Sequence, residues 1–137
     1  MIGFRMIRIH VNQFAFLTET MPESDSGDLE CSIGFHASDR KVSVSMKFVF
    51  LTDKPVMMIE ATCQFAVEDD SWGTMRRGND KVILLQGFLS HIAMHTVGTI
   101  RGILHCKTEG TPFNALILPP INVSEMVTGD LELPISE

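Results

Sequence analysis

Val42-Ser43-Val44-Ser45-Met46-Lys47-Phe48-Val49-Phe50, a turn at Thr52-Asp53-Lys54-Pro55, then Ile59-Glu60-Ala61-Thr62-Cys63-Gln64-Phe65-Ala66-Val67: this stretch decides the fold. Large apolar side chains recur at every second position. Ser43, Ser45, Lys47, Glu60, Thr62 and Gln64 fill the alternate ones, which is the period of a strand with one buried and one wetted face. The turn is far shorter than the dozen or more residues that a parallel crossover takes, so the two segments form an antiparallel hairpin.

Toward the N-terminus the same period continues. Leu29, Cys31, Ile33, Phe35 and Ala37 alternate with Glu30, Ser32, Gly34 and His36, and the polar turn Ser38-Asp39-Arg40-Lys41 joins this strand to the next. Thr18 to Asp28 is acidic and carries Pro22, Ser24, Ser26 and Gly27, so it reads as a solvated loop. Before it, Ile7, Ile9 and Val11 alternate with Arg8, His10 and Asn12. The phase then changes to Phe14 and Phe16 around Gln13, which requires a bulge or bend. The expected sheet is an antiparallel meander of four strands. Val42, Val44, Met46, Phe48 and Phe50 should be buried with Ile59, Ala61, Cys63 and Phe65, and Ser43, Ser45 and Lys47 exposed.

Toward the C-terminus, Glu68 to Asp80 reads as a polar loop containing Trp72, Gly73, Arg76, Arg77 and Gly78. Beyond it Leu85, Phe88, Leu89, Ile92, Ala93, Ile100, Ile103 and Leu104 take up helical spacing. That helix should end near Lys107, with Gly110 as a left-handed stop and Pro112 soon after. Gly87, Gly98 and Gly102 lie inside it, each costing roughly 0.5–1 kcal/mol relative to alanine unless another backbone packs close. Gly98 and Gly102, one turn apart, share a face. Together with Met94 and Arg101 they are the expected oligomer interface. Pro119 and Pro120 make Asn114 to Val123 extended, and residues 128–137 read as an acidic, frayed tail. The fold class is α+β: a four-stranded antiparallel sheet with one long helix packed on it, in a single domain over residues 1–127.

The 137 residues suit one domain, and 45% hydrophobic residues are too many for intrinsic disorder. A net charge of −6 leaves phosphate neutralisation no role, so nucleic-acid binding is not expected. No apolar run approaches the ~18–20 residues of a membrane span, so no membrane insertion is expected. Met1-Ile2-Gly3-Phe4-Arg5 carries a charge where a signal peptide is unbroken, which points to the cytoplasm. Cys31, Cys63 and Cys106 are odd in number and form no C-x-x-C pair, so buried reduced thiols are expected. Nine Met and nine Phe with no Tyr make an adaptable apolar inventory, suited to surfaces that repack around varied partners.

Nothing in the chain assembles into an enzyme site. His91 and His95 are four apart on the helix, but position 92 is Ile, so the general base of a His-Glu-x-x-His metalloprotease is missing. They read as helix-surface or interface histidines, with His105 and Cys106 further along, and no metal is expected. There is no G-x-S-x-G, no P-loop and no G-x-G-x-x-G. Glu68-Asp69-Asp70 reads as a solvated turn, and Asn122-Val123-Ser124 matches a glycosylation acceptor with no use in the cytoplasm. Neither catalysis nor a cofactor is therefore expected. The apolar residues left over from the periodic patterns are Phe14, Phe16, Leu17, Met21, Trp72 and Met75. They flank the two long loops, and the expectation is that they rim a peptide-binding groove over the first strand.

Thr99-Ile100-Arg101-Gly102-Ile103-Leu104, followed by Gly110-Thr111-Pro112-Phe113-Asn114-Ala115-Leu116-Ile117-Leu118-Pro119-Pro120-Ile121-Asn122-Val123, resembles the end of the SecB export chaperone family. There a helix ends in a glycine-threonine-phenylalanine turn and runs into a leucine-alanine-proline-valine-asparagine segment. The order of elements agrees, and Phe4 to Phe16 is similar to that family's first strand. The resemblance implies an ATP-independent holdase that covers apolar segments of unfolded polypeptide clients in surface grooves. It also implies self-assembly as a dimer or a dimer of dimers, with helices between two sheets. One departure stands out: after Val123 the chain meets Gly129 within two turns, so the family's second helix is shortened or absent. Docking of the translocation motor SecA is not carried over with it. Two other readings remain open on the sequence. One is an interaction module of the same fold dedicated to a single partner, such as a toxin–antitoxin chaperone. The other is a small-molecule domain, which would show one enclosed cavity instead of an open groove.

Overall fold

The computed structural model describes residues 2–22 and 27–136. Ser24 and Ser26 of the expected loop lie outside the described residues. Four long strands come first: β1 (Phe4–Phe16), β2 (Asp28–Ser38), β3 (Lys41–Leu51) and β4 (Pro55–Val67). The segments β2, β3 and β4 form the expected antiparallel meander, with Phe48 opposite Cys31 on one side and Ile59 on the other. Strand β1 departs from that expectation: it pairs with β4, not β2, from Phe4 opposite Val67 to Phe16 opposite Met57. The long connection after Phe16 has the reach to carry the chain across the end of the sheet, whereas the short turns that follow hold β2 to β4 in sequence order. A register shift between Val11 and Gln13 is the bulge that the phase change demanded, and a second falls between Met6 and Arg8.

Among the described residues the expected count of four strands is corrected to seven, in the order β1-β4-β3-β2-β7-β6-β5. The supposed loop from Glu68 to Asp80 contains a short helix, α1 (Asp69–Met75), and β5 (Arg76–Arg77), which pairs antiparallel with β6 (Lys81–Leu84). The supposed frayed tail holds β7 (Leu131–Ser136), antiparallel to β6 and parallel to the end of β2 where Ile135 lies beside Ala37. Leu131, Leu133 and Ile135 are half-buried and the residues between them exposed, the period of a strand with one covered face.

The long helix α2 (Gln86–Lys107) lies against β3 and β4. Its inner face, including Phe88, Leu89, Ile92, Ala93, Val97, Ile100 and Leu104, joins one core with the strand residues named from periodicity. Phe48 is fully buried there, as are Val42, Val44, Met46, Ile59, Ala61 and Cys63. Ser43, Ser45 and Lys47 are half-buried instead of exposed, because polar neighbours on three strands shield one another. Thr62 Oγ1, for instance, lies 2.6 Å from Ser45 Oγ and donates to Asn12 Oδ1 at 2.8 Å.

The helix receives its N-terminal cap from the C-terminal segment. Asp130 Oδ1 accepts from the Gln86 amide at 2.8 Å, and Gln86 Nε2 donates to the Val127 carbonyl at 2.9 Å. Such a carboxylate satisfies a backbone donor that has no partner within the helix. The second helix, expected to be shortened or absent, is among the described residues the single turn α3 (Val123–Met126), which Asn122 caps through its side chain.

Candidate functional site

Helix α2 stops where the sequence said it should, and the stop builds one wall of the site. Gly110 sits at φ 80°, the left-handed conformation that glycine adopts without penalty. Asn114 Nδ2 donates to the His105 carbonyl at 2.9 Å and to Thr108 Oγ1 at 3.0 Å, holding the turn against the helix end. The chain therefore doubles back, and the buried Phe113 stacks on Phe16 with ring centroids 4.6 Å apart. After the 3-10 turn Pro112–Ala115 the paired prolines keep the backbone extended. Arg101 clamps it: Nε donates to the Leu118 carbonyl at 2.8 Å and Nη2 to that of Pro119 at 2.9 Å.

Between this clamped segment and the end of the β2-β3 hairpin runs a cleft of about 240 Å³. Met21, Leu29, Phe50, Val56, Leu116 and Pro119 line it, and Asp28 is the one charged residue in its wall among the described residues. The Leu17 amide donates to the Val56 carbonyl at 2.7 Å, which fastens the start of the crossing loop beside the cleft. Phe16 is 40% exposed, Leu17 45% and Ile117 62%, so apolar surface continues outside it. Phe14 packs edge-on to Phe16 at 5.1 Å. The wall is apolar but holds few hydrogen-bonding groups, so it can cover a greasy segment without reading its sequence closely.

Four of the six expected groove residues, Phe14, Phe16, Leu17 and Met21, thus meet at this end of the sheet. Trp72 and Met75 do not, and this corrects the expectation. Both are 3% exposed in α1, which follows the opposite end of β4. A helix of seven residues is too short to show a period, so its buried face looked like stranded aromatics. The residues that sequence reasoning missed are Leu29, Phe50, Val56, Leu116 and Pro119. Leu29 and Phe50 read as ordinary apolar strand positions, and Val56 sits just after the turn, ahead of the alternating run. The other two lay in plain view within the extended segment that carried the resemblance.

Of the expected interface residues, Met94 is 59% exposed and Gly98 and Gly102 are exposed beside it on the outer face of α2. A side-chain carbon added at either glycine would meet nothing within 4 Å, so no neighbour within the chain explains them. Arg101 is spent on the loop carbonyls. Of the three cysteines expected to be buried only Cys63 is; Cys31 and Cys106 lie on the surface, and the Cys31 thiol, whose Sγ lies 3.7 Å from Met126 Sδ, is pushed up to about 11 by partial desolvation.

No family model and no curated protein matches the sequence. A solved structure does match: the SecB-like chaperone Rv1957 of Mycobacterium tuberculosis, in complex with a ChAD peptide from the Rv1956 HigA1 antitoxin, with a TM-score of 0.57. The match covers 87% of this chain and 90% of that one at 14% identity. The fold is SecB-like. The expected α+β class and the single long helix on a sheet stand, and three further strands extend that sheet past β2. No helix among the described residues is long and apolar enough to cross a membrane.

Proposed function

We propose that this protein is an ATP-independent polypeptide chaperone that holds an apolar stretch of an unfolded client against the cleft beside Phe16. The observation that carries the reading is the open apolar wall of Met21, Leu29, Val56 and Leu116, continued by the exposed Phe16 and Leu17. Flexible Met and Leu side chains repack around different sequences, and the sequence offers no catalytic set that would give the cleft another use. Work in the cytoplasm, with clients bound for export, belongs to the same proposal; SecA is not required by it. The test is whether purified protein at stoichiometric ratio suppresses aggregation of an unfolded model substrate, and whether Phe16→Ser and Met21→Ser each weaken that effect. Undiminished activity in both variants would move the client site elsewhere.

A second reading is that the clients reduce to one dedicated partner. What favours it is that the similar solved structure holds a peptide from an antitoxin. The two readings separate when several unrelated unfolded substrates are compared with the product of a neighbouring gene: a holdase protects all of them, a dedicated chaperone one.

Self-assembly completes the proposal. Gly98, Gly102 and Met94 leave the outer face of α2 open to a second copy. Strand β1 is a sheet edge of 13 residues, and Ile7 and Ile9 on it are 41% and 51% exposed. Long apolar edges of this kind invite pairing with another chain. Gly98→Leu should disturb assembly more than substitutions on the polar sheet face do, and a monomer across micromolar concentrations would refute it.

A further inference from the structure

His91 and His95 project from adjacent turns on the exposed side of α2, and their imidazole centroids lie 4.9 Å apart. The half-buried Phe4 ring sets its plane edge-on to both, at 5.2 Å from His91 and 5.9 Å from His95, and also packs on Phe65 and Phe88 in the core. The pair therefore stands on an aromatic platform with its other side in water. A helix supplies the spacing, and Phe4 restricts the rotamers.

We infer that His91 and His95 form a chelate for a borderline divalent transition metal of the zinc, nickel or copper class. Imidazole nitrogen binds such ions at about 2.1 Å, which puts the ring centroid about 3.2 Å from the metal. Two imidazoles on one ion then stand about 4.5 Å apart at a right angle between the bonds, and about 5.2 Å apart at a tetrahedral angle. The observed separation of 4.9 Å falls between these values, so the spacing of the two rings matches that of two imidazoles on one ion. Among the described residues no third His, Cys, Asp or Glu joins the pair. One chain thus contributes two ligands, and water or the same pair on a second copy fills the other positions. Hard ions such as magnesium, which prefer oxygen, are not suited. The site is far from the cleft and does not depend on the chaperone reading. His105 on the same helix is occupied differently, with Asn114 Nδ2 3.3 Å from its Nδ1.

The experiment is calorimetric titration of the metal-free protein with zinc chloride, repeated with cobalt to read coordination from visible absorption. Variants His91→Gln, His95→Gln and His105→Gln are first matched to wild type by circular dichroism. The expected result is loss of at least about tenfold in affinity for each of the first two and little change for the third. Affinity should also fall on acidification, since only neutral imidazole ligates. A ratio of one ion per chain supports the site, as does one ion per two chains with a matching rise in mass. Failure of the wild type to bind, or equal loss in His105→Gln, would overturn it.

Discussion

At the Val67 end of β4, Trp72 is 3% exposed within the short helix α1, whereas at the Val56 end Phe16 remains 40% exposed although it stacks on Phe113. Both are large aromatics beside loops, and both stand outside the periodic patterns of the sequence. What differs is the origin of the cover. Trp72 lies in a turn that begins as soon as β4 ends, its amide donating to the Glu68 carbonyl at 2.8 Å, and its side chain joins the core. Phe16 depends on the segment that follows α2, and with Phe113 and Phe14 packed on it the residue still keeps two-fifths of its surface open. An aromatic without a periodic place is therefore no sign of a binding surface by itself; the geometry of what packs over it decides.

The largest test of that contrast is Trp72→Ala. Removing a buried indole should cost about 3–5 kcal/mol in denaturant unfolding, near the value for Phe48→Ala in the core. A change below about 1 kcal/mol would place Trp72 back at the surface. Phe16→Ser should do the reverse, lowering stability little but weakening client binding by about tenfold or more, equivalent to about 1.4 kcal/mol. Binding is read by fluorescence anisotropy of a labelled unfolded polypeptide, and equal losses of stability in the two variants would erase the distinction.

Asp130→Ala sharpens the comparison on the long-range side. It removes a cap that reaches α2 from the C-terminal segment, and the expected loss is about 0.5–2 kcal/mol in thermal unfolding, with Asp130→Asn losing less. The smallest effect concerns Cys31. With its thiol pushed up to about 11, the reactive thiolate is scarce at neutral pH, so alkylation should be slow and rise about tenfold per unit of pH until near that value. Rapid labelling at pH 7 would show that the Met126 contact leaves the sulfur open to solvent.

Much of the sheet was legible. The alternation through β3 and from Ile59 to Val67 in β4 named the buried face residue by residue, whereas on β2 only Ala37 of that face is buried and Cys31 is exposed; the shift at Gln13 located a bulge, and Gly110 marked the helix stop. The candidate cleft was half legible: Phe14, Phe16, Leu17 and Met21 stood out, while Leu29 and Phe50 looked like ordinary strand positions because a strand residue at a sheet end has the same pattern as one at its centre. Strand β7 carried its signal too, since Leu131, Leu133 and Ile135 alternate with polar residues. The acidity of the tail outweighed it, although Leu131 and Leu133 needed only β6 beside them to pair.

The sequence by itself determined the four long strands, the long helix, and the apolar face of β3, of β4 from Ile59 onward and of α2. Those properties follow from backbone period and side-chain chemistry within a few neighbouring residues. Only the tertiary structure decided that β1 lies beside β4, that β7 enters between β2 and β6, and that Asp130 caps a helix begun 44 residues earlier. Each of these joins groups distant along the chain, where the free-energy gain comes from satisfying an edge or a helix end. Several segments could satisfy such groups, and the one that does is set by reach and by the shape of everything already packed.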